Sequence, residues 1–429
     1  MRISSKTVRM NKESLTTSIQ NLYFPGFDEM KTIVEDFAIM ALRRKDHWYS
    51  FITLQINLMT AMITEIQTLK SIKEMRDTNE EKEFLDFYES ATRTTLNALI
   101  QVADGIAYRF IDYNYSLYTM LQANKSSVYA LLEEGFSEGL ELAAILNDRK
   151  GPGSQVLITD LNSVTNIGDI IVKTDDSFEI IEVKKGNSRG ARISRQKERM
   201  KSLVDFHNNE YGQVNEKPVN MLKLPSRRHE LKVLEEMLIE TETEGTAIRE
   251  INEFLCVCCV DAENLSKSQK SNEINILLGT LKEWEGEELT ITISSLDYRQ
   301  NTGTTVPFTV YPIETRLVVD LLMGSKFFIS SLKIDKLEQY ISSQGWDVIN
   351  IIKEGVSIEV VKENNYPIFI LLDKDDPSKN ATFPVDFLLS IMMELIDVQN
   401  YLDMAKVSTS YGDTHHWIPF YEDEKNLWK

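Results

Sequence analysis

Gly168-Asp169-Ile170-Ile171-Val172-Lys173, then Thr174-Asp175-Asp176-Ser177, then Phe178-Glu179-Ile180-Ile181-Glu182-Val183-Lys184 form one continuous stretch. Two apolar runs flank a polar cluster with turn chemistry, which is the pattern of a β-hairpin. With Asp175-Asp176 at the turn centre, antiparallel pairing sets residue i opposite residue 351 − i, so Asp169 faces Glu182. Cβ atoms of directly opposed residues lie roughly 5 Å apart, and two like charges there repel. A divalent cation between the carboxylates would offset that repulsion. The strand period of two places Lys184 on the face of Glu182, beside Ile171, Phe178 and Ile180, while Ile170, Val172, Ile181 and Val183 take the other face. Strands apolar on both faces are covered on both faces, as in the middle of an α/β sheet. Three charges at the rim of such a sheet are costly unless paired or metal-bound.

The residues after the hairpin are strongly basic. Lys184, Lys185, Arg189, Arg192, Arg195, Lys197, Arg199 and Lys201 follow one another with Glu198 as the sole acid among them. Gly186 to Gly190 reads as a loop and Ala191 onward as a helix, the basic helix whose main span is Ile193 to Tyr211, with Arg192, Arg195, Gln196 and Arg199 at i, i+3, i+4, i+7 on one face. A basic helical face beside paired carboxylates suits a phosphodiester: the carboxylates hold metal and the cations hold phosphate.

Asp169, Glu182-Val183-Lys184 and Arg195-Gln196 together resemble the PD-(D/E)xK nuclease superfamily, the restriction-endonuclease-like fold. Gly168 stands where the name-giving proline would be. The resemblance covers residues 126–262 and implies a mixed β-sheet flanked by helices. It also implies a glutamate on the helix before the first core strand. Glu141, in the segment Leu132 to Ala143, is the choice, with Glu138 one turn earlier as its rival. By the same resemblance, Asp169, Glu182, the Val183 carbonyl and Glu141 would bind Mg²⁺ or Mn²⁺, and Lys184 would serve the attacking water or the transition state. Lys185, Arg189, Arg192, Arg195, Gln196 and Arg199 would hold the nucleic acid, expected to be DNA. The expected activity is metal-dependent phosphodiester hydrolysis. Fold-level analogy suggests a defence effector against foreign DNA such as phage. Against this stands the plainer fact that Glu-x-Lys is commonplace on solvated strands, and a catalytically inactive nucleic-acid- or partner-binding scaffold is the alternative.

Length and composition bound these readings. A chain of 429 residues with 42% hydrophobic and 26% charged residues suits two or three soluble domains. Its net charge of −19, from 47 basic against 66 acidic residues, argues against indiscriminate coating of nucleic acid. Nucleic acid would dock only at the basic island, and a protein partner would help deliver it. The start of the chain lacks an apolar leader and no run is long enough to span a bilayer, so no membrane association is expected. Cys256, Cys258 and Cys259 crowd one apolar run without a second pair or a nearby histidine, which reads as buried reduced thiols and a cytoplasmic home.

Along the chain, residues 1–125 are read as a helical bundle or arm, 126–265 as the nuclease-like core, and 266–429 as an α+β accessory domain. Trp48 to Leu69 and Leu96 to Ile111 carry near-helical apolar stripes, separated by the polar break Asp77 to Glu81. Their long apolar faces make a homodimer plausible. Asp104 and Arg109 interrupt the second stripe and are read as solvated or paired. Gln155 to Asp160 is the expected first core strand, Arg227 to Thr241 a helix, and 251–260 a strand. Polar composition after Asp261 suggests a domain boundary. Leu289 to Ile293, Val356 to Val361 and Ile368 to Leu372 are strand-like, Ile334 to Ser343 is helical, and Phe387 to Leu402 is one closing amphipathic helix.

Overall fold

The computed structural model describes residues 27–43, 48–76, 82–111, 136–150, 154–163, 165, 169–174, 178–181, 201–202, 204–205, 211–214, 217–224, 228–267, 271–298, 307–350, 368–410 and 416–421. In chain order, helices α1 (Phe27–Arg43), α2 (Trp48–Arg76), α3 (Lys82–Phe110) and α4 (Phe136–Lys150) precede strands β1 (Gln155–Ile158), β2 (Ile170–Lys173), β3 (Phe178–Ile181), β4 (Tyr211–Val214) and β5 (Lys217–Leu224). Then come α5 (Leu231–Glu244), β6 (Thr246–Asn252), β7 (Leu255–Asp261), α6 (Ala262–Lys267), α7 (Ser271–Glu285), β8 (Thr290–Ser294) and α8 (Ser295–Tyr298). The chain continues through α9 (Thr315–Met323), β9 (Lys326–Lys333), α10 (Ile334–Ser343), β10 (Trp346–Asn350), β11 (Phe369–Asp373), β12 (Asn380–Phe383), α11 (Val385–Met393), α12 (Val398–Ser410) and β13 (His416–Tyr421). The protein is thus mixed α/β. No helix among the described residues is long and apolar enough to cross a membrane.

Two compact units divide these elements: residues 24–226 with 307–323 and 415–429, and residues 1–23 with 227–306 and 324–414. Residues 126–226 and 227–265, read from the sequence as one module, therefore fall in different units. The first, here the hairpin unit, is built on α1, α2 and α3. Asp28 and Glu29 sit in the first turn of α1, and Lys73 and Arg76 in the last turn of α2, each complementing the helix dipole. Leu58, Met62 and Ile66 of α2 and Leu99, Val102 and Ile106 of α3 are buried, as their helical spacing requires. The turn Phe308–Val310 packs against α3 so closely that a Cβ at Gly105 would lie 2.4 Å from the Thr309 hydroxyl. Only glycine fits there.

β1, β2 and β3 form an antiparallel sheet with β2 in the middle. Ile170, Ile171 and Val172 are all buried, so both faces of β2 are covered, as its unbroken apolar run requires. α2 and α4 pack on β1. Gln55 of α2, itself 1% exposed, donates from Nε2 to the Val156 carbonyl and accepts on Oε1 from the Ile158 N–H, each at 2.8 Å. These are the backbone groups of β1 that point away from β2. The amide thus stands where a further strand would pair. A separate small sheet in this unit has the order β13-β5-β4, with β13 parallel to β5 and β4 antiparallel. Tyr211, expected to end the basic helix, starts β4.

The second unit is organised around a four-stranded antiparallel sheet in the order β6-β7-β9-β8. Every residue of β7 is buried. Cys256, Cys258 and Val260 face Leu265, Ile274, Leu277 and Leu281 of α6 and α7. The polar run after Asp261, read as a boundary, forms these two helices. α5 stops at Gly245, whose φ of 81° needs no Cβ, and its N–H donates to Thr241 O at 2.8 Å. α10 covers Ile334–Ser343 as expected. A second sheet has the order β10-β11-β12. The expected single closing helix is two, because the chain breaks at Leu395 (φ 47°), which accepts from the Glu230 N–H at 2.9 Å. Asn400 of α12 then pairs with Arg228 through both its amide atoms, at 2.8 and 3.1 Å. The strand expected at 356–361 lies outside the described residues.

Candidate active site at the rim of the hairpin

The hairpin pairs Ile170 with Ile181, Ile171 with Ile180, Val172 with Glu179 and Lys173 with Phe178. Each pair sums to 351, the register read from the turn centre. Asp169 lies at the start of β2, half-buried, just before Ile170. Its backbone is irregular. Its N–H donates to the Ile181 carbonyl at 2.9 Å, and its carbonyl accepts from the Thr159 N–H at 3.1 Å. In a regular strand a residue's N–H and C=O address the same neighbour; those of Asp169 address β3 on one side and the end of β1 on the other. Asp169 and Ile170 thus share Ile181, the pattern of a β-bulge, which re-aims a side chain relative to strict alternation. The expectation that Asp169 simply continues the ladder is corrected in this respect.

A buried turn holds Thr159 in place. β1 ends in the short turn Thr159–Leu161, and the Asn162 N–H closes it on Thr159 O at 3.2 Å. The Asn162 Oδ1 accepts from the N–H and hydroxyl of Thr165 at 2.7 and 2.8 Å. Ser163 is gripped by Asp104 of α3: its N–H donates to Oδ1 at 2.6 Å and its hydroxyl to Oδ2 at 2.7 Å. Asp104 is 2% exposed, so it is paired but not solvated. Burial pushes its carboxyl up to about 7, against the two Ser163 hydrogen bonds that favour the charged form. Sequence reasoning gave Asp104 no role. The available signal was its place inside the apolar stripe from Leu96 to Ile111, which the structure buries at every position from Gln101 to Tyr108. Arg109, also unassigned, donates to the Ala41 carbonyl at 2.8 Å. Lys173, at the far end of β2, donates to the Phe110 carbonyl at 3.0 Å and so caps α3 from the sheet.

Of the other expected site residues, Glu141 is exposed, on the opposite side of α4 from buried Ala143 and Asn147. The Glu138 side chain lies outside the described residues, as do Glu182, Val183, Lys184, Lys185, Arg189, Arg192, Arg195, Gln196 and Arg199. Within the expected basic helix, residues 201–202 and 204–205 are helical. Among the described residues no group of three or more His, Cys, Asp or Glu side chains could hold a metal ion. The cysteines are free and buried. The neighbouring Cys256 and burial raise the Cys258 thiol, and burial raises that of Cys259, so neither of these two is poised as a nucleophile. No family model, curated protein or solved structure matches this chain.

Proposed function

We propose that the chain is a metal-dependent nuclease, with Asp169, Glu182 and the Val183 carbonyl as metal ligands and Lys184 beside them. The observation that supports this is the hairpin register. It sets Ile170 opposite Ile181, and in the sequence a carboxylate adjoins each of them, Asp169 before Ile170 and Glu182 after Ile181. The donor set is oxygen alone, which suits Mg²⁺ or Mn²⁺. Once bound, the metal would supply Lewis acidity and an activated water. The chain's own part is to hold that geometry. The bulge fixes the Asp169 backbone from two sides, and the strand that follows it is covered on both faces. The Lys184 ammonium would stabilise charge gathering on the phosphate oxygens. Arg192, Arg195, Gln196 and Arg199, one face of the expected helix, would hold the phosphate backbone along with Lys185 and Arg189. DNA is the proposed substrate, and defence against foreign DNA the proposed setting.

A binding scaffold without activity is the second reading, and the exposure of Glu141 favours it. Incubating purified protein with labelled plasmid, linear duplex, single strands and RNA, with and without Mn²⁺, separates the two. The nuclease reading expects Mn²⁺-dependent cleavage that Lys184→Ala lowers by at least a hundredfold, with nucleic-acid binding retained. Because Glu141 faces solvent, Glu141→Ala should cost less than threefold. Binding without cleavage under every condition would establish the scaffold instead.

A further inference from the structure

We infer that Asp104 is a positioning residue for Asp169, acting through Ser163 and the turn from Thr159 to Thr165; the inference rests on the metal-site reading above. The connection runs through hydrogen bonds and the peptide link between Asn162 and Ser163. Both carboxylate oxygens of Asp104 are occupied by Ser163, one by its N–H and one by its hydroxyl, at 2.6 and 2.7 Å. Ser163 is adjacent to Asn162, whose side-chain oxygen ties Thr165 and whose N–H closes the turn on Thr159. Thr159 in turn donates its N–H to the Asp169 carbonyl. From there the Asp169 N–H reaches Ile181, the residue before Glu182.

The chemistry of the pair explains why a carboxylate stands at this place. Ser163 presents two donors at one point, and a carboxylate has two acceptor oxygens in the matching fork. A buried carboxylate is costly, and its neighbours Val102, Ala103, Ile106 and Ala107 on α3 are buried and apolar, so packing alone would select a hydrophobic residue. Ser163 is half-buried, but Thr159, Asn162 and Thr165 are each 1% exposed, so the bonds within the turn are shielded from water. A shift at Ser163 therefore passes to the Asp169 backbone. The bulge leaves Asp169 held by two backbone bonds, one of which is the bond to this turn.

The test uses the full chain as wild type, Asp104→Ala, Asp104→Asn and Ser163→Ala. Mn²⁺ binding is measured by calorimetry, and amide exchange is followed by mass spectrometry over 155–174, with 255–261 as the control segment. Asp104→Ala should weaken Mn²⁺ at least tenfold and speed exchange across 155–174 at least tenfold, leaving the control unchanged. Asp104→Asn keeps an acceptor for the Ser163 N–H and offers its amide to the hydroxyl, so it should restore both within threefold. A folded Asp104→Ala protein with wild-type Mn²⁺ affinity and exchange would overturn the inference, as would an Asn variant as impaired as the Ala variant. Should Asp104→Ala fail to fold, Ser163→Ala decides: faster exchange confined to 155–174 supports the connection, and unchanged exchange refutes it. If wild type binds no Mn²⁺, the metal-site reading falls, while the exchange data still decide whether Asp104 holds this segment.

Discussion

Asp104 places an acid in the middle of a helix face that is otherwise core, and its ionisation is therefore linked to stability. Its carboxyl is raised from 3.8 to about 7 by burial. The folded chain then binds this proton more tightly than the unfolded chain does. The group's contribution to stability is full below about pH 4 and is lost as the pH rises toward 7, a change on the order of 4 kcal/mol. Asp104→Asn cannot ionise and should gain on wild type across that window. Urea unfolding of both proteins at pH 5 and pH 8 measures this, and equal differences at the two pH values would contradict it. At Asp169, the sequence shows the residue but not the bulge. Period-two reasoning carries the ladder correctly as far as Ile170. A bulge follows from where two backbone groups find partners, and no side-chain pattern records that choice.

Among the elements, β1 depends on a side chain from a helix. Gln55→Ala would leave the Val156 carbonyl and the Ile158 N–H buried without partners, at about 1–3 kcal/mol each. Thermal unfolding should show a loss of roughly 2–5 kcal/mol, and a loss below about 0.5 kcal/mol would mean that water reaches this edge. The hairpin was legible because a polar turn centre between two apolar runs leaves one register that keeps both faces covered. β8 and α10 were legible for a similar reason, through clean alternation and a clean helical stripe. β9 was not: Lys326–Lys333 is buried at nearly every position, and a short run buried on both faces has no period to read. The closing helix was read as one because its apolar spacing continues through Leu395, whereas the break is imposed by pairing with Glu230 far away in sequence. Gln55 was missed because nothing local to α2 distinguishes a surface glutamine from one that caps a strand.

For the whole molecule, the division into two units bears on chemistry at the cysteines. All three sit in β7, at the centre of the second unit's sheet, and are buried, with the Cys258 and Cys259 thiols raised above the ordinary thiol range. Modification by a maleimide should therefore follow unfolding of that unit, at least a thousandfold slower than in urea-unfolded protein. Rapid labelling in native buffer would contradict the burial. Domain limits were poorly legible because the chain returns to the hairpin unit twice, at 307–323 and 415–429. Composition changes along the sequence cannot reveal such returns. The proposed chemistry depends on the hairpin unit alone, on Asp169 and Glu182, which adjoin the paired Ile170 and Ile181 in the sequence. Calorimetric titration with Mn²⁺ of wild type, Asp169→Ala and Glu182→Ala tests this most directly. The account predicts one site in wild type that either substitution abolishes; the same binding heat in all three proteins would contradict it.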